Sequence, residues 1–113
     1  MTTLLFDEHA SETNNNFHKG FNVTVRRGLK YAHTLEINEE VEMRNLAGKS
    51  LGKATVAQMV IGPVDYIPQI CLLREHDPKC RDMGGLIEVL QNCYNDPSID
   101  LKEIVTAIVL EIK

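Results

Sequence analysis

The segment Phe21–Arg27 alternates apolar and polar side chains, and this pattern constrains the fold more than any other in the chain. Successive side chains of a β-strand point to opposite faces of the sheet, so a period of two predicts a strand. The apolar side chains, which should join the core, are Phe21, Val23 and Val25. The opposite face carries an amide, a hydroxyl and a guanidinium, from Asn22, Thr24 and Arg26. Such a row can hydrogen-bond a small polar ligand or a base edge, although an ordinary solvated strand has the same pattern.

The cations of the chain are unevenly placed. The 113 residues carry a formal net charge of −4, which argues against a protein that holds long nucleic acid by charge alone. Between Thr13 and Leu35, however, there is no Asp or Glu. The cations of this segment are Lys19, Arg26, Arg27 and Lys30. The asymmetry favours a focused positive site on an otherwise acidic surface, with chance clustering of surface charge as the alternative.

The rest of the chain predicts an α+β fold with about five strands. Thr2–Phe6 is the first strand, and the polar segment Glu8–Gly20 is a loop. Val41–Asn45 alternates as a half-exposed strand, and Ala54–Ile61, apolar on both faces, predicts a buried central strand. The β-branched run Ile104–Ile112 predicts the last strand, buried in its middle.

Two helices are predicted between the last two strands, and Gly28–Thr34 is a turn or short helical segment. Pro68 suits the first turn of a helix whose buried side includes Ile70 and Leu73, with Cys71 and Leu72 as further candidates. Asp82 can cap the second helix. The apolar residues at helical spacing in that helix are Met83, Leu86, Ile87, Leu90 and Tyr94. Short strands with helices on one side suit a small, partly open β-barrel.

The chain is expected to be a single domain over residues 1–113, with residues 1–19 forming an N-terminal strand and a polar loop. No apolar run approaches the roughly 18 residues of a membrane span, and the start lacks a signal-peptide pattern. The three cysteines form no CxxC pair. We therefore expect a cytoplasmic protein with reduced thiols and no membrane contact. His76 and Cys80 are too few for a metal site, so no metal and no cofactor are expected.

Taken in order, these elements resemble the ASCH domain, a family of the PUA-like superfold. The resemblance rests on Thr24–Gly28, a hairpin at Gly48–Ala54, the segment Glu75–Arg81 before a helix, and the terminal β-run. It implies a pseudobarrel with a cleft beside the strand Thr24-Val25-Arg26-Arg27, and a role in binding RNA or modified nucleosides. Some bacterial members are amidohydrolases that remove an acyl group from the exocyclic nitrogen of a cytidine nucleoside. Others are reported as ribonucleases.

The K-T-x-T-x-R pattern of the amidohydrolase members is only partly present. Thr24 and Arg26 match its threonine and arginine, but Phe21 stands at the position of its lysine. Lys19 lies two residues earlier. The essential glutamate of those members lies ahead of the late helix, where Glu75 and Asp82 are both candidates. The missing lysine therefore leaves enzyme activity undecided.

The resemblance and the residue types give two main hypotheses. The first is binding of RNA or a modified nucleoside, with the ligand-binding residues Asn22, Arg26, Arg27, Lys30 and Tyr31. The second is a small amidohydrolase acting on N-acylated cytidine nucleosides, or a ribonuclease, with Thr24 and Glu75 as catalytic residues. The ordinary alternative is a solvated helix residue for Glu75 and a simple β-former for Thr24. A protein–protein adaptor without a ligand is a third reading, and the oligomeric state is not indicated.

Overall fold

The structure, a computed structural model, describes residues 1–6 and 17–113, and in these residues five strands and three helices form an α+β fold. The strands are β1 (Thr2–Phe6), β2 (Gly20–Arg27), β3 (Glu40–Asn45), β4 (Ser50–Pro63) and β5 (Ile104–Ile112). The helices are α1 (Lys30–Thr34), α2 (Gln69–Leu72) and α3 (Met83–Cys93). Two 3₁₀ turns lie at Val64–Tyr66 and Pro78–Arg81. The predicted loop Glu8–Gly20 falls mostly outside the described residues.

The five strands form one sheet in the order β1-β3-β4-β5-β2. β1 runs parallel to β3, and the other neighbours are antiparallel. Because β1 and β2 are both edge strands, the sheet is not closed, and the predicted barrel is not confirmed. The α+β class, the five strands and the two helices between β4 and β5 are confirmed. α1 is a third helix, in the segment predicted as a turn or short helix.

Apolar side chains form a core cluster on each face of the sheet. On one face, β2 and β5 pack against α3, and on the other, β1, β3 and β4 contribute most of the cluster. β5 is buried on both faces, with Val105 and Ala107 in the first cluster and Ile108 and Leu110 in the second. This double burial explains its largely apolar sequence, rich in β-branched residues, and its predicted bounds are confirmed.

β4 is longer and less buried than predicted. It is the middle strand of the sheet, as expected, but only Ala54 and Val56 are fully buried along it. Its pairing with β5 shifts between Val56 and Gln58, and such a bulge bends a strand and redirects the side chains that follow. The apolar sequence therefore does not make both faces of this strand internal.

The alternation predicted for β2 is only partly correct. Val23 and Val25 lie in the core, but Phe21 is 43% exposed, at the end of the strand opposite Glu111. On the other face, Asn22 and Thr24 are buried as well. The middle of β2 is thus covered on both faces, so its polar side chains do not form a solvated row.

α2 ends much earlier than the helix that the sequence predicts. It spans one turn, and its buried residue is Leu72. Ile70 and Leu73 are 66% and 58% exposed, so the prediction that they supply the buried side is wrong. After the helix the chain becomes extended, and Glu75 forms an isolated parallel bridge with Val23.

α3 begins and ends where the sequence predicts. The Asp82 carboxylate accepts a hydrogen bond from Gly85 N–H at 2.8 Å, which is the expected N-cap. Leu86 and Leu90 are its buried residues. With 11 residues, α3 is the longest helix in the described part of the chain, where none is long and apolar enough to cross a membrane.

Candidate functional site

A cavity of about 310 Å³ lies where the edge of β2 meets α3 and the end of β1. Its apolar wall includes Phe6, Leu86, Val89 and Leu90. Its polar groups include Thr24, Arg26, Glu75, His76 and Asp77. A mainly apolar cavity with a few converging polar groups is the usual form of a small-molecule site, and this volume is at the lower end of the usual range.

The segment Arg74–His76 brings two of these polar residues to the edge of β2. Val23 N–H donates to the Arg74 carbonyl at 2.8 Å, and His76 N–H donates to the Val23 carbonyl at 2.9 Å. Arg81 Nε donates to the Glu75 carbonyl at 3.0 Å and so holds the segment from its other side. This short parallel pairing fixes Glu75 against β2, which comes much earlier in the chain.

The Glu75 carboxyl is buried, with 2% of the residue exposed. Its Oε2 accepts from Val25 N–H at 3.1 Å, and its Oε1 accepts from Asp77 N–H at 3.4 Å. Burial raises the pKa of Glu75 to about 8, because desolvation outweighs the bond from Asp77 N–H and the positive charge of Arg26. The carboxyl is therefore mostly protonated at neutral pH, and the reading of Glu75 as a solvated helix residue is wrong.

His76 lies against the same carboxyl and is held between aromatic rings. Its Nε2 is 3.0 Å from Glu75 Oε1. Its ring stacks on Phe17, with centroids 4.9 Å apart and an interplanar angle of 16°. Phe6 meets it edge-on at a centroid distance of 4.9 Å. These contacts on two sides fix the orientation of the imidazole relative to Glu75.

Arg26 and Thr24 form a second polar pair on the cavity wall. Arg26 Nε donates to Thr24 Oγ1 at 3.0 Å, so the Thr24 hydroxyl can offer its own proton to a ligand. The Arg26 guanidinium carbon lies 4.6 Å from the Phe6 ring centroid and 5.6 Å from that of Tyr31. Both distances fall within the range of cation–π contacts. Burial lowers the pKa of Arg26, but a guanidinium keeps its charge at every pH that matters here.

The sequence-predicted site residues divide into two groups. Thr24, Arg26 and Glu75 line the cavity together. Asn22 does not, because its amide is bonded to the chain entering β2: Nδ2 donates to the carbonyls of His18 and Gly20 at 2.7 and 3.3 Å. Its Oδ1 also accepts from His18 N–H at 3.1 Å. Asn22 thus fastens a neighbouring loop.

The remaining predicted ligand-binding residues have other contacts. Arg27 pairs with Asp96 at 2.7 Å and with Glu103 at 3.0 Å, away from the cavity. Lys30 is exposed on α1, with its Nζ 5.4 Å from the Tyr31 ring centroid. Tyr31 packs against the core cluster that contains Phe6 and reaches the site only through Arg26.

The competing candidates for the acid and the cation lie apart from the cavity. Asp82 is exposed and caps α3, whereas Glu75 lines the cavity. Lys19 is exposed and does not line it. Among the residues that the structure describes, Arg26 is the only lysine or arginine on the cavity wall.

Sequence reasoning missed several cavity residues. The sequence does not single out Phe6, Asp77 or Tyr94 as site residues, and it disfavours His76 as a metal ligand. The one available signal was Glu75-His76-Asp77, three ionisable residues in succession before a helix. Within residues 1–6 and 17–113, no cluster of three His, Cys, Asp or Glu side chains could hold a metal ion.

The arrangement suits either recognition or acid–base chemistry. A mostly neutral carboxyl, a hydroxyl and a guanidinium can bond the edge of a planar heterocycle, while the side chains of α3 contact its face. The same groups include a hydroxyl nucleophile, an acid–base residue and a cation for a developing oxyanion.

Comparison with known proteins supports the fold. No protein-family model and no curated protein sequence matches the chain. The structure is similar to that of a DUF984 protein from Enterococcus faecalis V583, with a TM-score of 0.65 and 11% identity, covering 100% of this chain and 76% of that one. It is also similar to the ASCH domain from Lactobacillus crispatus JV V101, with a TM-score of 0.58 and 7% identity, covering 80% of this chain and 62% of that one.

Identities this low bear on the fold alone. The matches agree with the resemblance seen in the order of the sequence elements. The chain therefore has an ASCH-like fold.

Proposed function

We propose that the protein binds RNA or a modified nucleoside in the cavity beside β2. One observation carries the proposal: the buried Glu75 carboxyl, the Arg26 guanidinium and the Thr24 hydroxyl line a single cavity with an apolar wall. A base that is recognised individually needs an apolar or aromatic surface for its face and a few polar groups for its edge. The ASCH-like fold supports the same class of ligand.

The charges around the cavity favour a single base over a long phosphate backbone. Arg26 shares the cavity wall with the carboxyl of Asp77, and Arg27 is already paired with Asp96 and Glu103. The chain as a whole has a net charge of −4. A protein that follows a polyanion needs several cations free to meet its phosphates, so we expect affinity that depends only weakly on salt.

A second function, hydrolysis of an N-acylated cytidine nucleoside, is favoured by the presence of Thr24 and Glu75 on one wall. A ribonuclease would use the same groups. One feature weighs against catalysis: Phe21, at the lysine position, is 43% exposed and outside the cavity. The raised pKa of Glu75 is compatible with either role, because a general acid–base residue works best with a pKa near the working pH.

Calorimetric titration with cytidine, N4-acetylcytidine and a short single-stranded RNA tests the binding role. We expect the wild-type protein to bind at least one of them. Arg26→Ala should weaken that binding by about tenfold or more, because it removes a charged hydrogen-bonding group from the cavity wall. Lys30→Ala is the matched control, a cation close in sequence but outside the cavity, and should change the affinity by less than about twofold. No binding by the wild type, or equal losses in both variants, would contradict the proposal.

Incubation with N4-acetylcytidine, followed by chromatography of the products, separates binding from hydrolysis. The hydrolase requires turnover that Thr24→Ala and Glu75→Gln both abolish while circular dichroism shows an intact fold. Binding without turnover in the wild type supports the recognition module.

A further inference from the structure

β2 is an edge strand, yet three successive N–H groups on its outer edge, from Val23 to Arg27, are bonded. In a strand, the N–H and C=O of one residue point to the same side, and alternate residues share that side. Val23 N–H donates to a backbone carbonyl at 2.8 Å, Val25 N–H to Glu75 Oε2 at 3.1 Å, and Arg27 N–H to the Tyr94 hydroxyl at 3.2 Å. Two of these three donors are thus satisfied by side chains.

The carbonyls on the same edge differ from one another in whether they accept a hydrogen bond. The Val23 carbonyl accepts from His76 N–H at 2.9 Å. The Val25 carbonyl points the same way, and Val25 lies on the cavity wall. No loop or side-chain donor from the described part of the chain bonds to this carbonyl. A neighbouring β-strand would supply an acceptor for the Val25 N–H and a donor for the Val25 carbonyl. Here Glu75 supplies the acceptor for the N–H, and the carbonyl is left for a ligand donor.

We propose that the Val25 carbonyl and the Glu75 carboxyl together recognise one edge of a bound heterocycle, on which a hydrogen-bond donor lies next to an acceptor. This inference rests on the proposed function and refines it. The ligand N–H donates to the Val25 carbonyl, and the neighbouring ligand oxygen or nitrogen accepts the Glu75 O–H. Uracil has such an edge at N3–H and the adjacent carbonyl, and cytosine has one at its amino group and N3.

This recognition requires the acid form of Glu75. A carboxylate has only acceptors and cannot donate to the ligand. Burial raises the pKa of Glu75 to about 8, so the acid form predominates at neutral pH. The ionised oxygen would instead lie against the ligand acceptor and repel it.

Other ionisable groups face this carboxyl from each neighbouring element. His76 lies 3.0 Å from Oε1, Asp77 and Arg26 act on its charge, and Cys80 is close enough for Glu75 to raise its pKa. Cys93 and Tyr94, at the end of α3, also line the cavity. A variant that abolishes only the ionisation of Glu75 is therefore needed to assign a pH effect to this residue.

The donor requirement is tested on the wild-type protein with two pairs of nucleosides. Uridine is compared with 3-methyluridine, and cytidine with N4,N4-dimethylcytidine, by calorimetry near neutral pH. Each methylated compound has lost the N–H and should bind at least about tenfold more weakly than its parent, because a buried acceptor is left unpaired. Equal affinity within both pairs would overturn the proposal.

The proton of Glu75 is tested by repeating the cytidine titration between about pH 6 and pH 10, because uridine loses its own N3 proton in the alkaline part of this range. Wild-type affinity should fall as the pH rises above about 8, approaching tenfold for each pH unit, since one proton is required. Glu75→Gln offers a donor and an acceptor at every pH, so its affinity should not vary with pH in this range. Glu88→Gln, the same change on the exposed side of α3, should keep the wild-type decline.

A wild-type affinity that is constant or rises with pH would overturn the proposal, as would a parallel decline in Glu75→Gln or a loss of its binding while it stays folded. If circular dichroism shows Glu75→Gln to be unfolded, the methylated pairs and the wild-type pH series decide. The two proposals fail in different ways. If no nucleoside or RNA binds at any pH, both proposals are wrong. If the parent and methylated nucleosides bind with equal affinity, only the proposed edge recognition is wrong.

Discussion

Glu75 and Asp82 show how strongly the surroundings of a carboxyl determine its role. Both residues precede α3, and the sequence alone could not choose between them. Asp82 is exposed and bonds the first turn of the helix, whereas Glu75 is 2% exposed and bonds the backbone of β2. The difference comes from the bridge between Glu75 and Val23, a pairing of residues far apart in the chain, for which the local sequence carries no signal.

The raised pKa of Glu75 predicts that the protein is less stable at higher pH. The folded-state pKa of about 8 exceeds the ordinary value of 4.5, so between these values the folded state binds more protons than the unfolded state. The contribution of Glu75 to the free energy of unfolding should therefore be greatest below about pH 4.5, fall by a few kcal/mol up to about pH 8, and then level off. Glu75→Gln should remove most of this decline.

Urea denaturation of both proteins at several pH values across this window measures the effect. Glu88→Gln serves as the matched control and should retain the wild-type slope, because Glu88 is exposed. Parallel slopes for wild type and Glu75→Gln would show that Glu75 ionises normally in the folded state.

The contacts of Arg27 predict a structural role for it. The guanidinium holds β2 to the segment after α3 through Asp96 and Glu103, and these side chains are roughly one-third exposed or less. Arg27→Ala should lower Tm, and the difference from wild type should shrink as salt screens the ion pairs. Nucleoside affinity should not change, in contrast to Arg26→Ala. Thermal melts at low and high salt, with calorimetry beside them, test this, and a loss of affinity equal to that of Arg26→Ala would contradict it.

At the scale of elements, the sequence predicted best where one local pattern determined the outcome. β5 is buried on both faces and α3 has a cap, a stripe of apolar residues and a proline-containing end, so their bounds were readable. In and next to α2, Ile70 and Leu73 have the spacing of a buried helix face, although both side chains are exposed. In β2 the polar residues are buried by neighbouring loops and rings, so alternation did not separate core from solvent.

The first turn of α3 contains two adjacent glycines with different surroundings. A Cβ at Gly85 would overlap the Lys79 carbonyl oxygen in the preceding 3₁₀ turn. At Gly84 the nearest atom is the flexible carboxylate of Asp82, 3.5 Å away. The close approach of two backbone segments therefore requires glycine at position 85 but not at 84.

Gly85→Ala should lower the free energy of unfolding by about 1–3 kcal/mol, because the turn and the helix must move apart. Gly84→Ala is the paired control and should be neutral or up to about 1 kcal/mol more stable, since alanine favours a helix. Urea denaturation measures both. Equal effects of the two substitutions would show that the 3₁₀ turn does not press on α3.

At the scale of the whole molecule, the cavity is assembled from distant parts of the chain. Phe6 comes from β1, Thr24 and Arg26 from β2, Glu75 from the segment after α2, and Leu90 from α3. The order of elements and the ASCH-like fold were predictable from sequence, and so was the strand that bears Thr24 and Arg26. The apolar wall and the burial of Glu75 were not, because both depend on how the edge of β2 meets α3.

The central claim is that this cavity binds a nucleoside, and an amide NMR titration with uridine and cytidine tests it most directly. The account predicts saturable shifts of the Val25 amide, which is bonded to Glu75, and of amides along α3. Amides in the paired middle of β3 and β4, such as Glu42 and its neighbour Lys53, lie away from the cavity and should not move. Shifts confined to these amides, or no shifts with either nucleoside, would contradict the account.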